Sequence, residues 1–222
     1  MLKQLKVNQE LDVSLKLKSK LKQFLSVLLA LTYLSCTAQD DFNTPDLKET
    51  VKVETPIYTV WYSETKEQPV SLVYKSSNRS KNVDRGSMNF YTEDDYHTSD
   101  NKDYYRNVWD KGHLAPAATF SDSKENLKLT FSYLNCALQN QYLNRGQWRL
   151  LEAAERDWDD NQELEVTIDL EFSDSILPTG ATLPNKFIKH IKFTQSGEWR
   201  CYNFPNERPE NDWEEYQVTH QH

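Results

Sequence analysis

The sequence predicts an α+β fold, a central antiparallel sheet covered by one long helix. Strand-like segments stand in two groups, one early and one late in the chain. One late segment alternates cleanly, and between the groups lies a single convincing helical stretch. IYTVWY at 57–62 and VSLVY at 70–74 are rich in β-branched and aromatic residues and are separated by a charged turn containing a proline, so they read as two strands. EVTIDLEF at 165–172 places Val166, Ile168, Leu170 and Phe172 on one face, the pattern of a half-buried strand. KFIKHIKF at 186–193 and EWRCYNF at 198–204 follow, joined by a hairpin at Ser196 and Gly197. The helix is predicted over 144–160, NRGQWRLLEAAERDWDD. Trp148, Leu151, Ala154 or Glu155, and Trp158 recur at three- and four-residue steps on its inner side, with Arg149, Arg156 and Asp159 toward water. Asn144 and Glu152 border that inner side, where an unpaired carboxamide or carboxylate is costly to bury. Asn144 also suits a helix N-cap.

Three stretches divide the 222 residues: 1–38, 39–54 and 55–222. The first holds six lysines against two acids and an apolar run of 12 residues, FLSVLLALTYLS at 24–35. That run is too short to span about 30 Å of hydrocarbon and ends in small residues, as an export signal does, so export from a bacterium is expected. Cys36 is either the lipid-anchored first residue of a lipoprotein or part of a discarded leader, and Tyr33 and Leu34 fit a lipoprotein cleavage box poorly. Residues 39–54 are polar and without period, and read as a linker. Residues 55–222 are long enough for one domain with a sizeable core.

Charge constrains the partners. Loss of the leader, with its net +4, takes the chain from −8 to −12. Such a body repels polyanions at long range, so a nucleic-acid partner requires local cations or a metal ion. The strongest basic island is KSSNRSKNVDR at 75–85, where Lys75, Arg79, Lys81 and Arg85 outweigh Asp84 by three charges. Past the leader only Cys136 and Cys201 remain. They either form a disulfide, contributing about 4 kcal/mol on the chain-entropy estimate, or lie as two buried thiols. No Cys/His spacing suggests a zinc site.

The stretch WDKGHLAPAATF at 109–120 sets an acid, a base, a glycine and a histidine side by side, and SYLNCALQNQYLNRGQWRLLE at 132–152 runs from it into the helix. Alone, His113 reads as a hydrogen-bonded loop histidine, Asn135 as a turn former and Glu152 as helix surface. Together, Asp110, Lys111, Gly112, His113, Asn135, Gln139, Asn144 and Glu152 resemble the DNA/RNA non-specific endonucleases, built on a ββα-metal finger. The later LPNKFIKHIKF and YNFPNE look like that family's C-terminal strands, so the resemblance covers most of residues 55–222.

The resemblance implies cleavage of DNA and RNA with little sequence preference. His113 carries over as general base, a role for which an ordinary pKa of about 6.5 is suited. Gly112 beside it permits a close backbone approach. Asn144 carries over as the direct ligand of a Mg²⁺ ion, with Mn²⁺ as a substitute, and Glu152 as the group that helps hold the hydrated ion. Asn135 carries over as a positioning residue. A transition-state arginine is expected upstream; Arg85 is preferred for its distance from NFYTED, with Arg79 the other candidate. Lys111 and Arg79 are expected to contact substrate. Two residues depart from the family pattern: Lys111 stands where arginine is usual and lacks its planar two-point contact, and Leu138 stands where a proline commonly precedes the glutamine. Two other functions stay open, an exported or lipid-anchored binding protein of this fold with weak or no cleavage, and a metal-dependent phosphodiesterase acting on smaller substrates.

Overall fold

The computed structural model describes residues 47–219, all within one unit spanning residues 44–222. The leader, Cys36 and the first half of the linker, residues 39–46, lie outside the described residues. The main sheet has seven strands: β1 (Val51–Glu54), β2 (Tyr58–Ser63), β3 (Gln68–Ser76), β6 (Leu164–Ile176), β7 (Thr182–Phe193), β8 (Trp199–Pro205) and β9 (Gln217–Val218). They stand in that order, each antiparallel to its neighbour. A separate two-stranded ribbon is made of β4 (Trp109–His113) and β5 (Cys136–Asn140). Helix α1 (Lys124–Leu129) lies between β4 and β5, and α2 (Arg149–Asp159) follows β5. The α+β class and the central antiparallel sheet are as expected, and β4, β5 and α2 form a ββα arrangement.

Alternation sets the faces of the sheet. Leu72 and Tyr74 on β3, Val166, Ile168 and Leu170 on β6, and Phe187 and Ile191 on β7 are all buried in one core with Trp148 and Leu151 from the helical side. Trp148 rests on Phe187 and Phe204, with ring centroids 5.5 and 5.8 Å away. β3 and β6 are hydrogen-bonded neighbours although residues 77–163 separate them. The ribbon and α2 therefore form one long excursion from the main sheet, stapled back by two buried carboxamides. Gln68 Oε1 accepts from the Leu138 N–H at 2.9 Å. Asn206 Oδ1 accepts from the Asn140 N–H at 2.7 Å, while its Nδ2 donates to the carbonyls of Leu138 and Pro184.

Several local expectations are corrected. Val51–Glu54, expected as linker, is an edge strand whose VKVE pattern leaves Lys52 and Glu54 exposed. The helix predicted over 144–160 is broken into two pieces, a π segment at Asn144–Trp148 and then α2, and a helical turn at Gln141–Leu143 precedes them. Gly146 has non-helical backbone angles there. The N-cap is Asn140, whose side chain accepts from the Tyr142 N–H, and not Asn144. Asp159, expected in water, is buried and accepts from Ser76 Oγ. Cys136 and Cys201 are not joined by a disulfide; both are buried thiols, near Tyr104 Oη and His190 Nδ1 respectively.

One buried charge pair decides how α2 sits. Glu155 and Lys189 are both fully enclosed, with Lys189 Nζ 2.5 Å from Glu155 Oε1. The second carboxylate oxygen accepts from Tyr74 Oη at 2.5 Å, and the ammonium lies 4.2 Å from the Trp148 ring centroid. Removal of one partner leaves an uncompensated buried charge, which costs about 3–5 kcal/mol, whereas replacing both with apolar residues of similar size is far less costly. Glu155→Ala is therefore expected to lower the urea midpoint by that equivalent. The double variant Glu155→Leu, Lys189→Met is expected to recover most of the loss.

Candidate active site

The ribbon and the start of the helical run enclose a cleft of about 430 Å³. Arg85, Lys111, His113 and Asn144 all line it, together with Asp110 and the rings of Phe90 and Tyr104. Lys111 and His113 are two residues apart on β4 and so share one face of the ribbon. Gly112 between them is paired with Ala137. A Cβ at Gly112 would lie 2.6 Å from Cβ of the buried Gln139, so only glycine permits this approach of the strands.

Beyond His113 the chain is fixed by Asn135. Its backbone carbonyl accepts from the Leu114 N–H at 3.0 Å, and its Oδ1 accepts from the Ala115 N–H at 2.7 Å. Its Nδ2 donates to the carbonyls of Ala115 and Thr130, both at 2.9 Å. Asn135 is wholly buried and its side chain is spent on backbone, so it locks the turn that carries His113 and does not itself face the cleft. The His113 ring packs on Phe90 and Phe131, with centroids at 4.8 and 5.1 Å. Its Nε2 is enclosed without a partner, which leaves Nδ1 as the nitrogen open to water. Burial, reinforced by the Arg85 charge, lowers the His113 pKa from 6.5 to about 4.

Arg85 lies over the Phe131 ring at 4.8 Å and is followed by Gly86, whose φ of +54° turns the chain at the edge of the cleft. Arg79 is placed elsewhere, 3.2 Å from Asp122 and against Phe120, outside the cleft lining. Lys75 is likewise paired, with Glu163 at 3.0 Å, so two of the four cations of the basic island are tied to carboxylates. Lys111 is caged by the rings of Phe90, Tyr104 and Tyr133, whose centroids lie 5.4 to 5.7 Å from Nζ. Its ammonium donates to Asn101 Oδ1, an oxygen that also accepts from Tyr133 Oη. Burial pushes the Lys111 pKa below its ordinary value. Sequence reasoning missed this cage, whose rings are spread over residues 90 to 133.

Asp110 joins the ribbon to the π segment. Its Oδ2 accepts from Asn144 Nδ2 at 3.0 Å, and both its oxygens accept from the Arg145 guanidinium, at 2.7 and 2.6 Å. A carboxylate only accepts, so it fixes which end of the Asn144 amide is which and leaves Asn144 Oδ1 turned away from it. Glu152 is half-buried on α2 and is not part of the cleft lining. Burial, reinforced by Glu155, raises its pKa to about 7, against the opposing charges of Lys189 and Arg156. Among the described residues no group of three or more His, Cys, Asp or Glu side chains is placed to hold a metal ion. A hydrated Mg²⁺ needs no such cage, and one oriented neutral carboxamide oxygen fits it.

The whole of this site falls inside a match to known proteins. Residues 39–222 match the family model of the DNA/RNA non-specific endonucleases, and the chain belongs to that family. It is 37% identical over 75 residues to mitochondrial Endonuclease G of Bos taurus, covering 32% of this chain and 25% of that protein. It is also 38% identical over 55 residues to mitochondrial Nuclease EXOG of Danio rerio, covering 25% and 16%. The chain thus spans a quarter or less of these two relatives. Among solved structures, the crystal structure of an EndoG/EndoGI complex matches with a TM-score of 0.67 at 22% identity, over 76% of this chain and 80% of that one, and shares its fold.

Two titrations follow from burial, with opposite signs. The folded His113 takes its proton below the ordinary histidine range, so the fold loses stability as pH falls from about 6.5 to about 4. The folded Glu152 holds its proton longer than a free carboxyl, so it costs stability as pH rises from about 4.5 to about 7. The His113 ring resonances of metal-free protein are expected to titrate with a midpoint near 4; a midpoint near 6.5 contradicts the enclosed ring.

Proposed function

We propose that this protein is an exported endonuclease that hydrolyses phosphodiester bonds of DNA and RNA with little sequence preference, using Mg²⁺ or Mn²⁺. The observation that carries it is the convergence of Arg85, Lys111, His113 and Asn144 on one cleft. Family membership supports nuclease chemistry, and the composition of residues 1–38 supports export.

In this reading His113 Nδ1 takes the proton of the attacking water. A pKa near 4 keeps the ring unprotonated across the neutral range. The Arg85 guanidinium faces the non-bridging oxygens, where charge builds in the transition state, and holds that place by lying on Phe131. Lys111 supplies a fixed point charge to the phosphate from its three-ring cage. Asn144 Oδ1 is the protein's ligand for the ion, with Asp110 and Arg145 setting the amide. Glu152 assists from the helix side, beyond the cleft lining. When bound, the ion polarises the phosphate and stabilises the leaving oxygen. Asn135 acts as a positioning residue through the Leu114–Ala115 backbone. Arg79, tied to Asp122, is left without a direct role.

Purified protein is expected to nick supercoiled plasmid and to degrade RNA in Mg²⁺, with chelator abolishing both. His113→Ala should lower the rate by about 10²- to 10⁴-fold while the thermal transition stays cooperative. Full activity in that variant would falsify the base assignment, whereas absence of cleavage by the parent protein would leave the binding-protein reading in its place. The cage gives a less intuitive outcome: Lys111→Arg, which restores the residue usual in the family, is expected to reduce kcat/KM, because a guanidinium overfills the space between three rings. A gain in activity would show that the cage is not selective. The acid limb of kcat/KM should fall near pH 4, and that of kcat higher, because bound phosphate offsets the Arg85 charge beside the imidazole.

A further inference from the structure

Lys111 stands where arginine is usual in the family, and the atoms around its ammonium account for the exchange. An ammonium carries three N–H donors on a flexible stem, with no plane to orient it. The rings of Phe90, Tyr104 and Tyr133 attract its charge, but a ring face offers no single acceptor to set its direction. Direction comes from one atom. Asn101 Oδ1 accepts from Lys111 Nζ and, at 3.0 Å, from Tyr133 Oη.

Both partners of that oxygen are donors, so the amide has one orientation, with Oδ1 toward the lysine and Nδ2 away from it. The fold holds each member in place. Tyr133 is buried, and its N–H donates to the Tyr91 carbonyl at 3.0 Å. It opens the same short turn, Tyr133–Asn135, whose asparagine locks the backbone after His113, so one turn serves both the histidine and the lysine. The loop bearing Asn101 is tied down at Ser99, whose N–H donates to Tyr62 Oη on β2 at 3.1 Å, and by the Asp100 N–H, which donates to the buried Asp103 carboxylate at 2.7 Å. This loop reads SDNKD at 99–103, and the residue bonded to Lys111 is the neutral one, while Asp100 pairs with Lys102 at 3.5 Å. A carboxylate at position 101 would cancel the charge it held.

We propose that Asn101, set by Tyr133, is a positioning residue for Lys111: it aims the ammonium at the phosphate and leaves its charge whole, so that lysine serves where arginine is usual. The inference rests on the nuclease reading and adds to it two residues outside the cleft lining. With one N–H spent on Asn101, two remain for phosphate oxygens, in place of the planar two-point contact of a guanidinium. The acceptor has a second effect. Burial and the Arg85 charge disfavour the protonated lysine, and a hydrogen bond accepted from Nζ favours it.

The test is a set of variants of the full chain, read as kcat/KM for plasmid nicking in Mg²⁺. Asn101→Ala is expected to lower kcat/KM about ten-fold, the worth of one hydrogen bond to a charged group. Asn101→Asp, which keeps the shape and the acceptor but adds a negative charge, should lower it at least as far. Tyr133→Phe, which keeps the ring and removes the hydroxyl, should act in the same direction by less. In a Lys111→Met background, Asn101→Ala should change the rate by less than about two-fold, which a loop needed only for folding would not give. Nitrogen NMR of Lys111 Nζ supplies a readout independent of cleavage: its titration midpoint should fall in Asn101→Ala and rise in Asn101→Asp. Parental kcat/KM in Asn101→Asp, an undiminished loss in the Lys111→Met background, or midpoints that do not move overturn the role of Asn101 alone. Absence of nicking by the parent protein sinks the nuclease reading and this role with it.

Discussion

The carboxylate of Asp110 is the joint on which the site depends. It lies on the ribbon, yet its three partners are on the π segment: the Asn144 amide and two nitrogens of Arg145. Ribbon and helical run belong to an excursion whose two ends return to neighbouring strands of the sheet, and nothing in the sheet's own ladder fixes their mutual angle. Charge-assisted bonds in fixed planar geometry do so. The π segment is part of the same device. Its wider turn and the irregular backbone at Gly146 bring Asn144 and Arg145 toward Asp110, while α2 beyond it still delivers Trp148 and Leu151 to the core.

Two layers of electrostatics lie on either side of that joint. Beneath α2, Glu155, Lys189 and Tyr74 form a closed polar knot in an aromatic core, a feature that sets where the helix rests more than how stable it is. In the cleft, cations are held by ring faces: Arg85 on Phe131, Lys111 among Phe90, Tyr104 and Tyr133. In the proposed reading, an acidic protein that approaches a polyanion gains from cations of this kind. A cation satisfied by a carboxylate, as Arg79 is by Asp122, presents little field to a phosphate, whereas a ring positions the charge without neutralising it.

Much of this was legible in the sequence, and the failures have physical causes. Strand β6 announces itself because one face is buried and alternation survives, and β2 and β3 do so by their β-branched and aromatic residues. The ribbon did not: WDKGH and CALQN have no usable period, since β5 is buried on both faces and β4 carries the site. Edge strand β1 was hidden by its charges. Helical period alone turns Asp159 toward water, because it cannot show that Ser76 awaits it on β3. Arg85, Lys111, His113 and Asn144, marked by the joint pattern and not by any one residue, share one cleft, while Arg79, Asn135 and Glu152 lie outside its lining. The ring cage and the Asn140 cap carry no such mark, because their partners come together only in three dimensions.

In the proposed reading, the enclosure of His113 also constrains how it works as a base. A base that must stay neutral beside an arginine is helped by burial, since both the missing solvent and the neighbouring charge oppose its protonation. The cost is a weak base: at a pKa near 4 the imidazole has little pull on a water proton. In that reading a phosphate entering the cleft would change the balance, because its charge would offset Arg85 and raise the basicity of the ring only once substrate is present. Basicity is thereby coupled to occupancy, and the coupling runs through Phe131, against which both His113 and Arg85 pack. Loss of that ring would free the arginine to move off the histidine, raising the resting pKa and weakening the positioning of both groups at once.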